Sequence, residues 1–303
     1  LKDRVSRHFT EPGGFTSGIE GPACDPDGYL YAVNYERQGT IGRVSPQGEA
    51  EVWVELPEGS VASGIRCNGQ GNLLVADYVG HQVLHINRTT RAISVWAHEP
   101  AMNQPNDLAM MQNGTLLASD PDWDRGTGNI WRVAPDRTVT LLDGDCGTTN
   151  GIEISPDERI LYVNETVQRR IWAYDLTADG DIANKRLFIQ YDDHLLDGMR
   201  CDMQGNLYVT RYGKGSIAVL SPEGKPLREI EVIGNHVTNV TFGGHDGRTG
   251  YATVADTGNV QRFDVDHPGR CWGMWRCSHA AGEDRSKGEV RDVAKRAFNG
   301  VID

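Results

Sequence analysis

One pattern recurs six times along the 303 residues, and it restricts the possible folds more than any other feature of the chain. A polar residue, often followed by glycine, leads a few strand-type residues, a tight turn and a second β-rich run. The copies open at Glu20, Ser63, Asn106, Asn150, Asp197 and Thr238, at intervals of 43, 43, 44, 47 and 41 residues. Their internal register also holds: a turn glycine recurs as Gly28, Gly71, Gly114 and Gly205, and an aliphatic residue as Leu30, Leu73, Leu116, Ile160 and Leu207. Asp27-Gly28 and Asn113-Gly114 predict two-residue hairpins, whose central positions both need positive φ. A third strand-type segment follows in every copy, starting at Ile41, Val83, Ile130, Ile171, Ile217 and Val260, and most copies add a fourth, such as EVWVEL, AISVWA or TVTLLD. Four short antiparallel strands per roughly 40–45 residues is the arithmetic of a propeller blade. The expected fold is therefore an all-β, six-bladed β-propeller.

The sixth copy runs out after VQRFDV without a clear fourth strand, while RVSRHFT, residues 4–10, precedes the first copy. Placing that segment in the last blade closes the ring and removes open sheet edges. A solenoid would need capping units and would gain nothing from a split blade. The propeller domain is expected over residues 1–270, followed by a C-terminal extension, 271–303, in which EVRDVAKRAF (Glu289 to Phe298) predicts a short amphipathic helix. Cys24, Cys67 and Cys201 share one phase of the repeat and are expected as small buried strand residues; Cys271 and Cys277 are spaced so that a bridge is conceivable. No C-x-x-C pair occurs, which makes a reducing compartment the default. Trp131 and Trp172 occupy equivalent places and read as packing between blades.

The innermost strand of a propeller blade lines the central channel, so the residue opening it points to the axis at one face. Glu20, Ser63, Asn106, Asn150, Asp197 and Thr238 stand at that phase, and all six carry a side-chain oxygen. Taken singly, each could cap a strand end. Two carboxylates and two amides at one phase instead make a hard, oxygen-rich seat for one divalent cation, whose charge Glu20 and Asp197 together offset. Such all-oxygen ligation suits calcium, magnesium or manganese, and zinc and ferrous iron also occupy such sites when available. Without a cation, the two carboxylates would repel and one would take up a proton.

The copies at Glu20, Asn106, Asn150 and Asp197 also carry a resemblance. EGP at Glu20, PND at Pro105, NGIEISPDERILYVNET at Asn150 and DGMRCDMQGNLYV at Asp197 resemble the gluconolactonase, regucalcin and senescence-marker-protein family of lactone hydrolases, in that family's order. The resemblance implies that Glu20, Asn150 and Asp197 hold the metal, that Asn106 faces the substrate or completes the metal shell, and that Asp197 doubles as the catalytic residue handling the proton. Gln104 stands where many members have an arginine, Leu196 replaces a frequent proline, and SDPDWDRG (Ser119 to Gly126) diverges at Trp123. These departures leave the metal residues intact and bear on the substrate, for which Gln104, Asp120 and Asp122 are candidate contacts.

The expected function is metal-dependent hydrolysis of a sugar-derived lactone, with either Asp197 or a metal-activated water as the base. Rival readings are a phosphotriester or aryl-ester hydrolase on a similar metal cup, and a non-catalytic calcium- or protein-binding propeller. No serine-hydrolase elbow, H-E-x-x-H or phosphate-binding glycine loop is present. The formal charge of −12 argues against nucleic acid and anionic membranes as partners. No run approaches a membrane span and Leu1 opens no recognisable signal peptide, so a cytoplasmic setting is expected.

Overall fold

The computed structural model describes residues 5–274. Twenty-four strands form six sheets of four, arranged as blades around one axis. Blades 1 to 5 span residues 23–55, 62–98, 108–146, 149–190 and 195–231, each a meander in which successive strands pair antiparallel. Blade 6 combines Val237–Gly243, Thr249–Val254 and Asn259–Asp264 with Arg7–His8 from the start of the chain, Arg7 opposite Arg262 and His8 opposite Gln261. The closing strand is shorter than residues 4–10 because the chain is diverted at both ends. Ser6 N–H donates to Glu231 O of blade 5, and Phe9 and Thr10 N–H both converge on Val260 O. The split blade thus latches onto its neighbour as well as completing its own sheet.

Alternating strand residues face the neighbouring blades and bury apolar surface there. Ile65, Leu73, Leu116, Ile152, Leu207 and Val240 are fully buried, and each such aliphatic side chain contributes about 1.5–3 kcal/mol. Tyr208 of blade 5 meets Phe242 of blade 6 edge-on, with ring centroids 5.0 Å apart. Cys24, Cys67 and Cys201 are buried at the same strand position of their blades.

The hairpins correct one expectation. Gly28, Gly71, Gly114 and Gly205 do have positive φ, but Asp27 and Asn113 do not. Gly28 N–H bonds Asp25 O at 3.1 Å and Asp25 N–H bonds Tyr29 O at 2.9 Å, which makes a three-residue loop with a left-handed final residue. Side-chain acceptors at the loop entrance favour it: Asp25 Oδ1 takes the N–H of both Asp27 and Tyr29, and Asp202 Oδ1 repeats this with Gln204 and Asn206.

Beyond Asp264 the chain crosses the underside of the propeller. Met203 N–H bonds Pro268 O, Gly269 bridges to Asp202, and residues 270–274 form one helical turn. Arg270 enters the channel and is 5% exposed, donating to Met110 O at 3.0 Å and Glu158 Oε1 at 2.6 Å. The predicted helix at 289–298 and Cys277 lie outside the described residues. No helix among the described residues is long and apolar enough to cross a membrane.

Candidate active site

Glu20, Asn150 and Asp197 come together at the upper mouth of the channel. Asn150 Nδ2 donates to Asp197 Oδ1 at 2.8 Å and to Thr166 Oγ1 at 3.0 Å, which turns its own oxygen away from both. Glu20 Oε2 accepts from its neighbour Gly21 N–H and from Asn239 Nδ2. Of the remaining oxygens, Glu20 Oε1 and Asn150 Oδ1 are buried and accept no hydrogen bond from the protein. Buried acceptors without partners are costly, on the order of 1–3 kcal/mol each, and their pairing at a channel mouth points to a ligand.

The electrostatics agree. Burial first, and then the neighbouring Asp107 carboxylate, push the Glu20 carboxyl up to about 7, against its hydrogen bonds from Gly21 and Asn239 and the pull of Arg200. Burial and then Glu20 itself hold Asp197 well above the usual carboxylate range. Two carboxylates that resist ionising together, with two idle oxygens beside them, form a set of hard donors suited to a divalent cation. Among the described residues no group of three or more His, Cys, Asp or Glu side chains converges as a metal site. The set here instead joins two carboxylates with an amide. Glu20 and Asp197 are both partly exposed, so the seat can be reached from the upper face.

The other residues at this phase divide. Asn106 is partly exposed, and its backbone ties blade 3 to blade 2 by accepting the Gly64 N–H at 2.6 Å. Thr238 is spent internally, donating to Ile19 O at 2.9 Å and touching Thr253 Oγ1 at 2.7 Å. Ser63 is 6% exposed.

Asp120 requires a correction as a substrate contact. It is fully buried, and its two oxygens accept from Asn103 N, Gln104 N, Asn129 Nδ2 and Trp131 Nε1 at 2.6–3.1 Å. Its hydrogen-bonding capacity is therefore spent on tying the segment that leads to Asn106 to the adjacent strand Thr127–Val133. The same device recurs in two other blades. Asp77 accepts from Val61 N, Gly80 N and Gln82 Nε2, and Glu165 from Gly147 N, Arg170 Nε and Trp172 Nε1. Trp131 and Trp172 owe their equivalence partly to this bond. Gln104 remains partly exposed next to that anchor, as does Asp122 further along the same strand.

Several residues near the site are absent from the sequence-based set. Asp107 lies below Glu20, 1% exposed, clamped by Arg66 at 2.9 Å and Arg200 at 3.1 Å. Burial alone would raise its carboxyl, but the two guanidinium groups hold it below the usual range. Asn239 bridges from Glu20 toward Asp107, and Asn164 Nδ2 donates to Asp197 O. Tyr212, stacked on His236 at 4.6 Å, has its hydroxyl raised by burial and then by Asp197. A signal for Asp107 and Asn239 was available. They occupy the position that holds Gly21, Gly64, Gly151 and Gly198 in the other four blades, so they are the two departures from a glycine rule.

Residues 11–256 match the family described as the SMP-30/gluconolactonase/LRE-like region. A gluconolactonase from Zymomonas mobilis is 28% identical over 66% of this chain and 63% of its own length, so the chain spans somewhat less than two thirds of that relative. A 6-deoxy-6-sulfogluconolactonase from Pseudomonas putida is 32% identical over 71% of this chain and 75% of its own. Among solved structures, a calcium-binding regucalcin from Agrobacterium tumefaciens superposes with a TM-score of 0.76 at 22% identity, covering 89% of this chain and 97% of that one; at that identity it speaks for the fold. With four-fifths of its length matched and its axial residues gathered at one channel mouth, the chain belongs to the SMP-30/gluconolactonase/LRE-like family.

Proposed function

We propose that this protein hydrolyses a sugar-derived lactone at a single divalent cation held by Glu20, Asn150 and Asp197. The observation that carries the reading is the pair of buried, unpartnered oxygens, Glu20 Oε1 and Asn150 Oδ1, beside two carboxyls that burial and neighbouring acids push upward. Relatives named for gluconolactone and sulfogluconolactone hydrolysis support the substrate class, and a calcium-binding structural neighbour supports the cation. When bound, the cation would polarise the lactone carbonyl and lower the pKa of an adjacent water.

The remaining work falls to side chains. Asp197 has Oδ1 fixed by Asn150, which leaves Oδ2 to take a proton. Water adds to the acyl carbon, the ring C–O bond breaks, and the proton received by Asp197 passes to the departing ring oxygen, yielding the open hydroxy acid. Asn106 and Gln104 orient ring hydroxyls, and Asp120 holds Gln104 in place through its backbone. We place the enzyme in a reducing, cytoplasmic setting, consistent with thiols at Cys24, Cys67, Cys146 and Cys201 that are buried and free.

A panel of glucono-, galactono- and xylonolactones, with a paraoxon-type ester for comparison, tests the reading on protein stripped of metal and reloaded. Lactone opening that disappears with chelator and returns with metal supports it. Faster turnover of the ester than of any lactone would move the chain to ester hydrolysis. Cation binding without turnover of any substrate would make it a binding propeller.

A further inference from the structure

Below the mouth of the channel lies a second polar layer that the reaction as described does not use. Four blades carry glycine there, and blade 6 carries Asn239. The space is made for it: a Cβ on Gly198 of blade 5 would collide with the Asn239 carboxamide. Which way the amide faces is settled by its surroundings. Val240 N–H, a donor only, bonds Asn239 Oδ1 at 2.8 Å, so the NH2 group faces the channel. There it donates to Glu20 Oε2 at 2.9 Å and approaches Asp107 Oδ2 at 3.5 Å. Asp107 is itself immobilised between Arg66 and Arg200. Behind the amide, Thr253 Oγ1 fixes the Asn239 backbone by accepting its N–H at 3.0 Å.

We propose that Asn239 is a positioning residue for the cation seat: by engaging Glu20 Oε2, it turns Glu20 Oε1 toward the axis. This rests on the cation reading above. Glutamate has three side-chain torsions, and at a channel mouth it would otherwise sample rotamers in which neither oxygen faces Asn150 and Asp197. Gly21 N–H helps hold Oε2 but belongs to the adjacent residue and follows the backbone of Glu20 itself. Asn239 is anchored in a different blade, so it fixes the carboxylate relative to the whole ring. Partners that orient metal ligands in this way typically contribute about 10–100-fold in affinity.

The test uses the full chain, stripped with chelator and titrated calorimetrically with calcium and, separately, manganese. Asn239→Gly copies the residue found in four other blades, and Asn239→Ser keeps a short polar side chain without the reach to Glu20, should glycine loosen the blade. Both should bind cation at least about 10-fold more weakly than the parent, and lactone hydrolysis should need correspondingly more metal for half-saturation. A purely structural residue would lower the melting temperature of the metal-free protein and leave the cation Kd of the folded fraction unchanged, and that result overturns the proposal. If the parent chain takes up neither ion, the cation reading falls, and this one with it. Parent binding with unaltered variants removes the role of Asn239 alone.

Discussion

The upper and lower halves of the central channel are built from the same strands, yet they treat charge in opposite ways. In the lower half two buried acids have cations beside them: Asp107 lies between Arg66 and Arg200, and Glu153 is 3.5 Å from Arg270. In the upper half Glu20 and Asp197 share no ion pair with Lys, Arg or His among the described residues, and both carboxyls are driven upward. Compensation below builds a rigid floor. The acids above are relieved by holding a proton or, on the proposed reading, by taking up a cation from solution, and this distinguishes them from the structural ion cluster below.

The sharpest way to break this contrast is to exchange the outcomes of equivalent changes in the two halves. Asp197→Asn should reduce lactone turnover by about 10³–10⁴-fold, or roughly 4–5 kcal/mol of transition-state stabilisation, while leaving the metal-free protein at least as stable, since it removes a repulsion. Steady-state kinetics and urea unfolding read the two effects. Asp107→Asn should do the reverse first. It strands two buried guanidinium groups and should cost about 3 kcal/mol of folding stability, visible as a lowered urea midpoint. A neutral result at Asp107 would mean that the floor is not an ion cluster in any energetic sense.

The pH dependence of the metal-free protein sharpens the comparison further. Because the folded Glu20 carboxyl titrates near 7 rather than 4.5, the native state holds its proton where the unfolded chain has lost it. Stability should therefore be greatest below about pH 4.5 as far as this group is concerned, and fall by on the order of 2 kcal/mol as pH rises toward 7. Saturating cation should abolish that slope, and Glu20→Gln should flatten it without metal. Asp107, held low, contributes with the opposite sign: its stabilisation is present at neutral pH and lost only as acid protonates it.

The smallest effect concerns the acidic anchors. Asp120→Asn and Asp77→Asn should each cost about 1–2 kcal/mol, because each exposes backbone N–H donors to a poorer acceptor. Only the blade 3 change should also raise the KM for lactone, by a few-fold, since only its anchor holds the Gln104–Asn106 segment. Equal KM values for the two variants would detach Asp120 from the site.

The blade count, the split closure and the convergence of Glu20, Asn150 and Asp197 were legible because a repeat converts sequence phase into a position around an axis. Asp120 was misplaced because one acid before a proline resembles a substrate contact when blade 3 is considered alone; alongside Asp77 and Glu165 it is an anchor. Asp107 and Asn239 escaped notice because the glycine after the opening residue was noted only as part of the repeat, whereas Gly64 and Gly198 leave room for those two side chains. The Asp27-Gly28 dipeptide could not reveal that Asp25 would enlarge the loop. Arg270 was out of reach for another reason: it lies after the last repeat, where phase carries no information.

That arginine has a kinetic corollary. With Arg270 hydrogen-bonded into the far opening and the turn at 270–274 packed behind it, the passage is a cul-de-sac. On the proposed reading, a hydroxy acid made at the cation would have to back out through the doorway its precursor used, and until it left no fresh lactone could enter. Product should therefore inhibit competitively, and the lining of that one doorway governs both admission and exit.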